Sequence, residues 1–298
     1  MARPDALPVA AMPAQAAACS AAAIAQAPGL VEICWRGRPV QVEHQWLGDP
    51  AAGRPLIVFL HEGLGSLAMW RDFPQRLCAA AGCRGLVYSR PGYGRSSPRA
   101  ADEAWGPDFL HRQALEVLPA LLAALGVDAA RDKPWLFGHS DGGSIALLYA
   151  AHRPTQLAGA VLLAPHIRVE DVSISSIQRA RQAYLDTDLR ARLARHHDDP
   201  DSAFWGWNNI WLHPEFRGWT LEAEIASISC PLLAMQGVDD EYGTLDQING
   251  IARRVPGTEL RAFAACGHSP HRDQADAVIR ETTAFMQTRL TPLTGDSP

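Results

Sequence analysis

A serine set among glycines, Gly138-His139-Ser140-Asp141-Gly142-Gly143, lies where an apolar run ends and a helix begins. The run Pro134 to Phe137 reads as a strand and Ser144 to Ala151 as a helix. A turn this tight would drive a side chain at Gly138 or Gly142 into neighbouring backbone. It would hold Ser140 in a strained conformation, with its hydroxyl exposed at the positive end of the helix. A serine hydroxyl is a poor nucleophile at neutral pH, so it needs a base and a group to orient that base. Both types follow in the chain. Gln236-Gly237-Val238-Asp239-Asp240 ends one apolar run, and Ala265-Cys266-Gly267-His268-Ser269 ends the next. The order is Ser, Asp, His, with Asp239 and Asp240 both eligible as the acid.

These residues need a scaffold that brings loop ends together. Val31 to Trp35 and Val40 to Trp46 read as strands joined by a turn at Arg36-Gly37-Arg38-Pro39. In the second, Val40, Val42 and Trp46 alternate with Gln41, Glu43 and Gln45, the pattern of a half-exposed antiparallel strand near a sheet edge. Leu56 to Leu60, Gly85 to Ser89, Leu157 to Leu163 and Leu232 to Gln236 are short buried-strand runs, and Glu259 to Phe263 reads as a further strand. Between them lie helical stretches at Phe73 to Ala81, Leu110 to Leu125 (kinked by Pro119), Asp246 to Val255 and Arg272 to Leu290. Strands alternating with helices imply a doubly wound, mostly parallel sheet. From Pro165 to about Ile228 the buried-strand pattern stops. Arg, Asp, His and Trp abound there, with helical stretches at Ser175 to Leu185 and Leu189 to His196.

The whole set of motifs, in this order and each at a strand end, resembles the α/β-hydrolase superfamily. The matching pieces are His61-Glu62-Gly63, Arg90-Pro91-Gly92-Tyr93-Gly94-Arg95-Ser96, the elbow at Ser140, Gly237-Val238-Asp239-Asp240 and Cys266-Gly267-His268. The resemblance implies an α/β-hydrolase fold, a mostly parallel central sheet with helices on both faces and a helical cap. It divides the chain into a poorly ordered tail at 1–28, a core at 29–164 and 229–290, a helical lid at 165–228, and a C-terminal tail at 291–298. It makes Ser140 the nucleophile, His268 the general base and Asp240, three residues after the glycine, the orienting acid. The main-chain N–H groups of Gly63 and Asp141 would form the oxyanion hole. Glu62 departs from the usual glycine of that loop, and its carboxylate would either face the pocket or support the loop. His61 would brace the loop.

Phe204, Trp205, Trp207, Trp211, Phe216 and Trp219 crowd one part of the insertion, either as the lid's own core or as an apolar wall over substrate. Trp205 and Trp211, with Glu62, are the candidate substrate contacts. His196-His197-Asp198-Asp199 reads as a solvated face rather than a metal site, and His271 as a helix-start residue. The expected activity is hydrolysis of a carboxylic ester or related acyl bond of a small apolar or aromatic molecule through an acyl-enzyme. Carbon–carbon bond hydrolysis of ring-cleavage products, thioester or lactone hydrolysis, and a non-enzymatic ligand receptor are the alternatives.

The 298 residues are 47% hydrophobic and 20% charged, with a net charge of −5, which disfavours nucleic acid or an anionic membrane as partner. The six cysteines have no zinc-like spacing, so buried free thiols in a cytoplasmic protein are expected. Pro8, Pro13, Gln15 and Gln26 interrupt any signal-peptide core. The expected partner is a small-molecule substrate, with no metal and no cofactor; self-association is left open.

Overall fold

The computed structural model describes residues 25–100 and 103–290. Most of the tail expected at 1–28, and that at 291–298, lie outside the described residues. Of the first, Ala25 bridges to Leu47 and Gln26 N–H bonds to Trp46 O at 2.9 Å, so ordered pairing begins before residue 29.

Eight strands form one sheet: β1 (Gly29–Trp35), β2 (Arg38–Leu47), β3 (Leu56–Leu60), β4 (Arg84–Tyr88), β5 (Trp135–His139), β6 (Gly159–Leu163), β7 (Leu232–Gly237) and β8 (Glu259–Phe263). Their order is β1-β2-β4-β3-β5-β6-β7-β8. The pairings β1–β2 and β2–β4 are antiparallel and all others parallel. Arg36 and Gly37, at φ 53° and 75°, make the hairpin turn. That is the twist a two-residue connection between antiparallel strands requires. β2 lies near the edge, as expected, one strand in from β1. Its polar face is closed at Glu43, which is 6% exposed and accepts hydrogen bonds from Ser89 Oγ at 2.7 Å and Arg95 N at 3.1 Å.

The buried strands have apolar residues on both faces because each face carries its own core. Ile57 and Phe59 of β3, Trp135 and Phe137 of β5, Val161 and Leu163 of β6, and Leu233 and Met235 of β7 share one face. Helices α1 (Phe73–Ala81) and, at the chain's end, Ala275–Leu290 pack there through Phe73, Leu77, Val278, Phe285 and Met286. Val58, Leu136, Leu162 and Ala234 point to the other face. It is covered by α2 (Phe109–Arg112), α3 (Leu118–Ala124) and the buried helix that follows β5. α2 and α3 replace the single kinked helix expected at Leu110 to Leu125. A π-helical turn, Gln113–Val117, joins them immediately before Pro119. Proline has no N–H to continue the helical ladder, and the chain widens there.

The remaining helices are α4 (Ala129–Asp132), α5 (Asp141–His152), α6 (Asp171–Asp186), α7 (Leu189–Leu193), α8 (Pro200–Trp211), α9 (Asp246–Arg254), α10 (Pro270–Asp273) and α11 (Ala275–Leu290). The expected final helix from Arg272 is thus two pieces, broken at Gln274. α8 was not expected, yet its start is encoded: Asp199 Oδ1 accepts from Ser202 N at 2.8 Å, and Pro200 fills the first turn. No described helix is long and apolar enough to cross a membrane. Cys78, Cys83, Cys230 and Cys266 are buried free thiols, whereas Cys34 is exposed.

Candidate active site

Ser140 lies between β5 and α5 at φ 53° and ψ −118°, a region L-residues rarely occupy. The backbone packing leaves no alternative. A Cβ at Gly138 would lie 2.2 Å from Gly142 O, and one at Gly142 would lie 2.0 Å from Leu60 O. Two more non-glycine residues with positive φ follow other parallel strands, Ala164 after β6 (44°) and Ala265 after β8 (50°). Each such position costs on the order of 1–3 kcal/mol, which the surrounding packing must offset. All three follow the carboxyl ends of parallel strands, where α/β sheets place their ligands.

The loop after β8 brings His268 to the loop after β7. His268 Nδ1 lies 2.8 and 3.0 Å from the two carboxylate oxygens of Asp240. Asp240 Oδ1 also accepts Tyr242 N–H at 2.8 Å, and Oδ2 accepts Gln236 Nε2 at 3.0 Å. Burial alone would raise the Asp240 pKa. The His268 contact and the Tyr242 N–H outweigh it and hold the carboxyl below its ordinary value. Asp239 is exposed, and its N–H bonds to Cys266 O. Among the described residues the His268 ring forms hydrogen bonds to Asp240 only, through Nδ1, and Nε2 makes none.

The loop after β3 is held by His61. Arg90 N–H donates to His61 Nε2 at 3.0 Å, so Nδ1 carries the proton and donates to Glu62 O at 2.7 Å. Burial, then the Arg90 charge, push the His61 pKa well below its usual value and keep the ring neutral. Asp141, the first residue of α5, has an N–H with no partner inside the helix. Its carboxyl, 1% exposed, accepts Trp211 Nε1–H at 3.1 Å and lies 3.6 Å from Arg90 Nη1. Arg90 is itself fully buried and also donates to Glu62 O at 2.8 Å. Burial raises the Asp141 pKa despite this partner.

The segment from 165 to 228 meets this site at several points. Trp207 lies against Gly63, where an added Cβ would be 2.2 Å from its Nε1. Trp211 reaches Asp141, as described. Ser173 and Ser176 of α6 donate to the carbonyls of Tyr242 and Glu241, beside Asp240. The ring of Trp205, by contrast, packs on Tyr184 and Phe204 with Arg181 over it, all within the same segment. Trp207, which sequence reasoning did not single out, stands at Gly63 instead. Its i, i+4 spacing with Trp211 on one helix face was the available signal.

Two histidines differ from their expected settings. His197 does not belong to a solvated face. It is 3% exposed, accepts Gly94 N–H on Nδ1 at 2.9 Å and donates from Nε2 to Leu64 O at 3.1 Å. It thereby joins the connection before α8 to two core loops. Of its neighbours, His196 and Asp198 are exposed and Asp199 caps α8. His271 does begin a short helix, but it is buried against Trp70, Phe73 and His139, with ring centroids 4.9, 5.6 and 4.7 Å away. Burial drives its pKa well below the usual value. Among the described residues no group of three or more His, Cys, Asp or Glu is arranged to hold a metal ion.

A strained serine elbow on a mostly parallel sheet, with an Asp–His pair at later strand ends, defines an α/β-hydrolase architecture. The sequence matches the alpha/beta hydrolase family over residues 57–281, and the chain belongs to that family. A 2-hydroxy-6-oxononadienedioate/2-hydroxy-6-oxononatrienedioate hydrolase of Cupriavidus pinatubonensis is 22% identical over 267 residues, covering 80% of this chain and 89% of that protein. The crystal structure of the enol-lactonase from Burkholderia xenovorans LB400 superposes with a TM-score of 0.67 at 20% identity, covering 86% of this chain and 99% of that one. A thermophilic esterase from Thermogutta terrifontis gives 0.68 at 16% identity, covering 89% and 100%. These structural similarities carry the fold. Family and relatives together make the protein a hydrolase.

Proposed function

We propose that the protein is a serine hydrolase that cleaves a carboxylic ester or related acyl bond of a small apolar or aromatic substrate through an acyl-enzyme. The observation that carries this reading is the 2.8 Å His268–Asp240 contact at the strand ends that also bear the φ 53° turn at Ser140. Ser140 Oγ attacks the carbonyl carbon as its proton passes to His268 Nε2. Asp240 holds the ring in the tautomer that leaves Nε2 open and stabilises the imidazolium that forms. The main-chain N–H groups of Asp141 and Gly63 stabilise the oxyanion. Collapse of the tetrahedral species sends the proton from Nε2 to the leaving oxygen and leaves the acyl group on Ser140. Water, deprotonated by the same nitrogen, then releases the acid. The segment 165–228 acts as a lid, with Trp207 and Trp211 as its apolar wall over the substrate.

A second reading, cleavage of a carbon–carbon bond in a vinylogous diketone, rests on the similarity to the dioate hydrolase over 89% of that protein's length. One panel separates the two: p-nitrophenyl esters, thioesters, lactones and vinylogous 1,5-diketones with the purified protein. Turnover of short esters that Ser140→Ala abolishes, with the fold intact by circular dichroism, is the expected result. Ester turnover retained in Ser140→Ala refutes the nucleophile. Turnover confined to diketones replaces the first reading with the second.

A further inference from the structure

We propose that Glu62 is a positioning residue. Its carboxylate fastens the loop that carries the oxyanion donor Gly63 to the loop that carries His268, and it does not bind substrate. The inference rests on the serine-hydrolase reading above and adds a residue to it.

Glu62 Oε1 accepts a hydrogen bond from Arg272 Nη2 at 3.0 Å. Arg272 belongs to α10, the helix that immediately follows His268 and Ser269. Glu62 Oε2 lies 3.5 Å from Nδ1 of His139, the residue before the proposed nucleophile. The other nitrogen of that ring, Nε2, lies 2.7 Å from the main-chain oxygen of His268, so it carries a proton and donates it. One carboxylate thus reaches the His268 loop by two routes. One runs through Arg272 and the other through His139. The first is a hydrogen bond at Oε1 and the second a close packing contact at Oε2.

The loop itself is shaped around this arrangement. A Cβ at Gly65 would fall 2.4 Å from Glu62 Oε2, so only a glycine there leaves the carboxylate its place. The Glu62 main-chain oxygen is held from behind by His61 Nδ1, Arg90 Nη2 and Gly65 N, at 2.7, 2.8 and 3.0 Å. The side chain is 16% exposed. Burial alone would raise its pKa, but the His139 contact, Arg272 and His271 outweigh it and hold the carboxyl well below its ordinary value. A carboxylate bonded to Arg272 and packed beside the His139 ring, its backbone pinned, is built to hold position. Without it, the donor at Gly63 and the base at His268 would drift relative to each other, and a misplacement near 1 Å costs about 10²-fold in rate.

The test compares wild type, Glu62→Ala, Glu62→Gln, Arg272→Ala and the double variant Glu62→Ala/Arg272→Ala on p-nitrophenyl acetate, with Ser140→Ala as the blank. Arg272 is 38% exposed, so its truncation leaves the core intact. The expected outcome is a fall in kcat on the order of 10–100-fold for Glu62→Ala, with KM changed by less than about 3-fold. Arg272→Ala should fall in the same direction, and the double variant should fall less than the product of the singles. Glu62→Gln should lie between, because the amide keeps the shape and one acceptor. A rise in KM with kcat unchanged would make Glu62 a substrate contact and overturn the proposal. So would a lowered Tm with kcat per titrated active site unchanged. A second readout needs no turnover: the downfield proton NMR signal of His268 Nδ1–H, hydrogen-bonded to Asp240. It should broaden in Glu62→Ala and Arg272→Ala. An unchanged signal in both refutes the positioning role, whereas a wild type that keeps this signal but hydrolyses no panel substrate refutes the proposed function alone.

Discussion

Arg90 and Asp141 form a pair with no exposure to solvent to soften its loss. Replacing Arg90 with Met keeps the length of the side chain and removes its charge. The guanidinium and the carboxyl are each 1% exposed and lie 3.6 Å apart, and Asp141 would retain Trp211 Nε1–H as its donor. Removing one partner of a buried pair typically costs about 3–5 kcal/mol. Arg90→Met also removes the donor to Glu62 O at 2.8 Å, so the upper end applies. That is a large share of the roughly 5–15 kcal/mol that holds a typical domain folded. The pH dependence identifies the cause. Burial already raises the Asp141 pKa in the native chain, and loss of Arg90 raises it further. A raised carboxyl means the folded state binds more protons than the unfolded state between the two pKa values. Stability then falls as pH rises through that window, by about 1.4 kcal/mol per unit at most. A few pH units therefore span the whole penalty. Urea unfolding of Arg90→Met should show a deficit near 3–5 kcal/mol at pH 8 and a distinctly smaller one at pH 5. Adding Asp141→Asn should recover part of the loss at pH 8. Equal deficits at both pH values, or a deficit below about 1 kcal/mol, would refute the buried-charge argument.

Two further outcomes follow from the site. Asp240→Asn should lower kcat by up to about 10⁴-fold, because the wrong His268 tautomer is then favoured, while Asp239→Asn, in an exposed position, should stay within about 2-fold of wild type; the reverse order in ester kinetics would reassign the acid. Gly142→Ala places a methyl 2.0 Å from Leu60 O, well inside the 3.4 Å of an ordinary contact, against backbone that cannot swing aside. It should cost about 10²-fold in kcat or more through displacement of Ser140, and near wild-type kinetics would show that the elbow is looser than the structure has it.

The sequence made the elbow legible in part because its demands are local. A Cβ at Gly138 would strike Gly142 O, a few residues on, so the reason for that glycine is local; Gly142 answers Leu60 O at the end of β3 and was legible only as part of the motif. The strand faces were legible for a similar reason, since a continuous apolar run reports that both sides of the sheet are covered. The contacts of Glu62, Asp141 and His197 were not legible, because the groups that define them are remote. Arg272 is 210 positions from Glu62, Trp211 is 70 from Asp141, and Leu64 is 133 from His197. His197 also stands in a run of polar residues, and composition assigns such a run to solvent. Only the fold shows that its ring fills a junction between three loops. α8 is a different case. Asp199-Pro200 is a helix start by local rules, but the aromatic crowding beyond it masks the helical period that would confirm the cap.

The directions of the pKa shifts give the arrangement one electrostatic sense. Burial holds the His166 pKa down to about 3 and that of His271 well below normal, so both rings beside the His268 loop are neutral at physiological pH. His166 lies 5.8 Å, centroid to centroid, from His268, and His139 links His271 to the same loop. Charged rings in those places would oppose the imidazolium that His268 becomes in the proposed mechanism. The carboxyls of Asp240 and Glu62 are shifted down as well, and for an acid that direction keeps them ionised. Under the proposed mechanism the imidazolium forms beside the neutral rings of His166 and His271 and the fixed negative charge of Asp240 and Glu62, oriented before substrate arrives. Such preorganisation costs no rearrangement at the moment charge develops, which is where fixed dipoles and charges contribute most to rate. Asp141, raised rather than lowered, stands apart from this pattern. Its carboxyl lies 3.6 Å from Arg90 Nη1, so α5 begins beside Ser140 without adding an unpartnered carboxylate to the proposed oxyanion site.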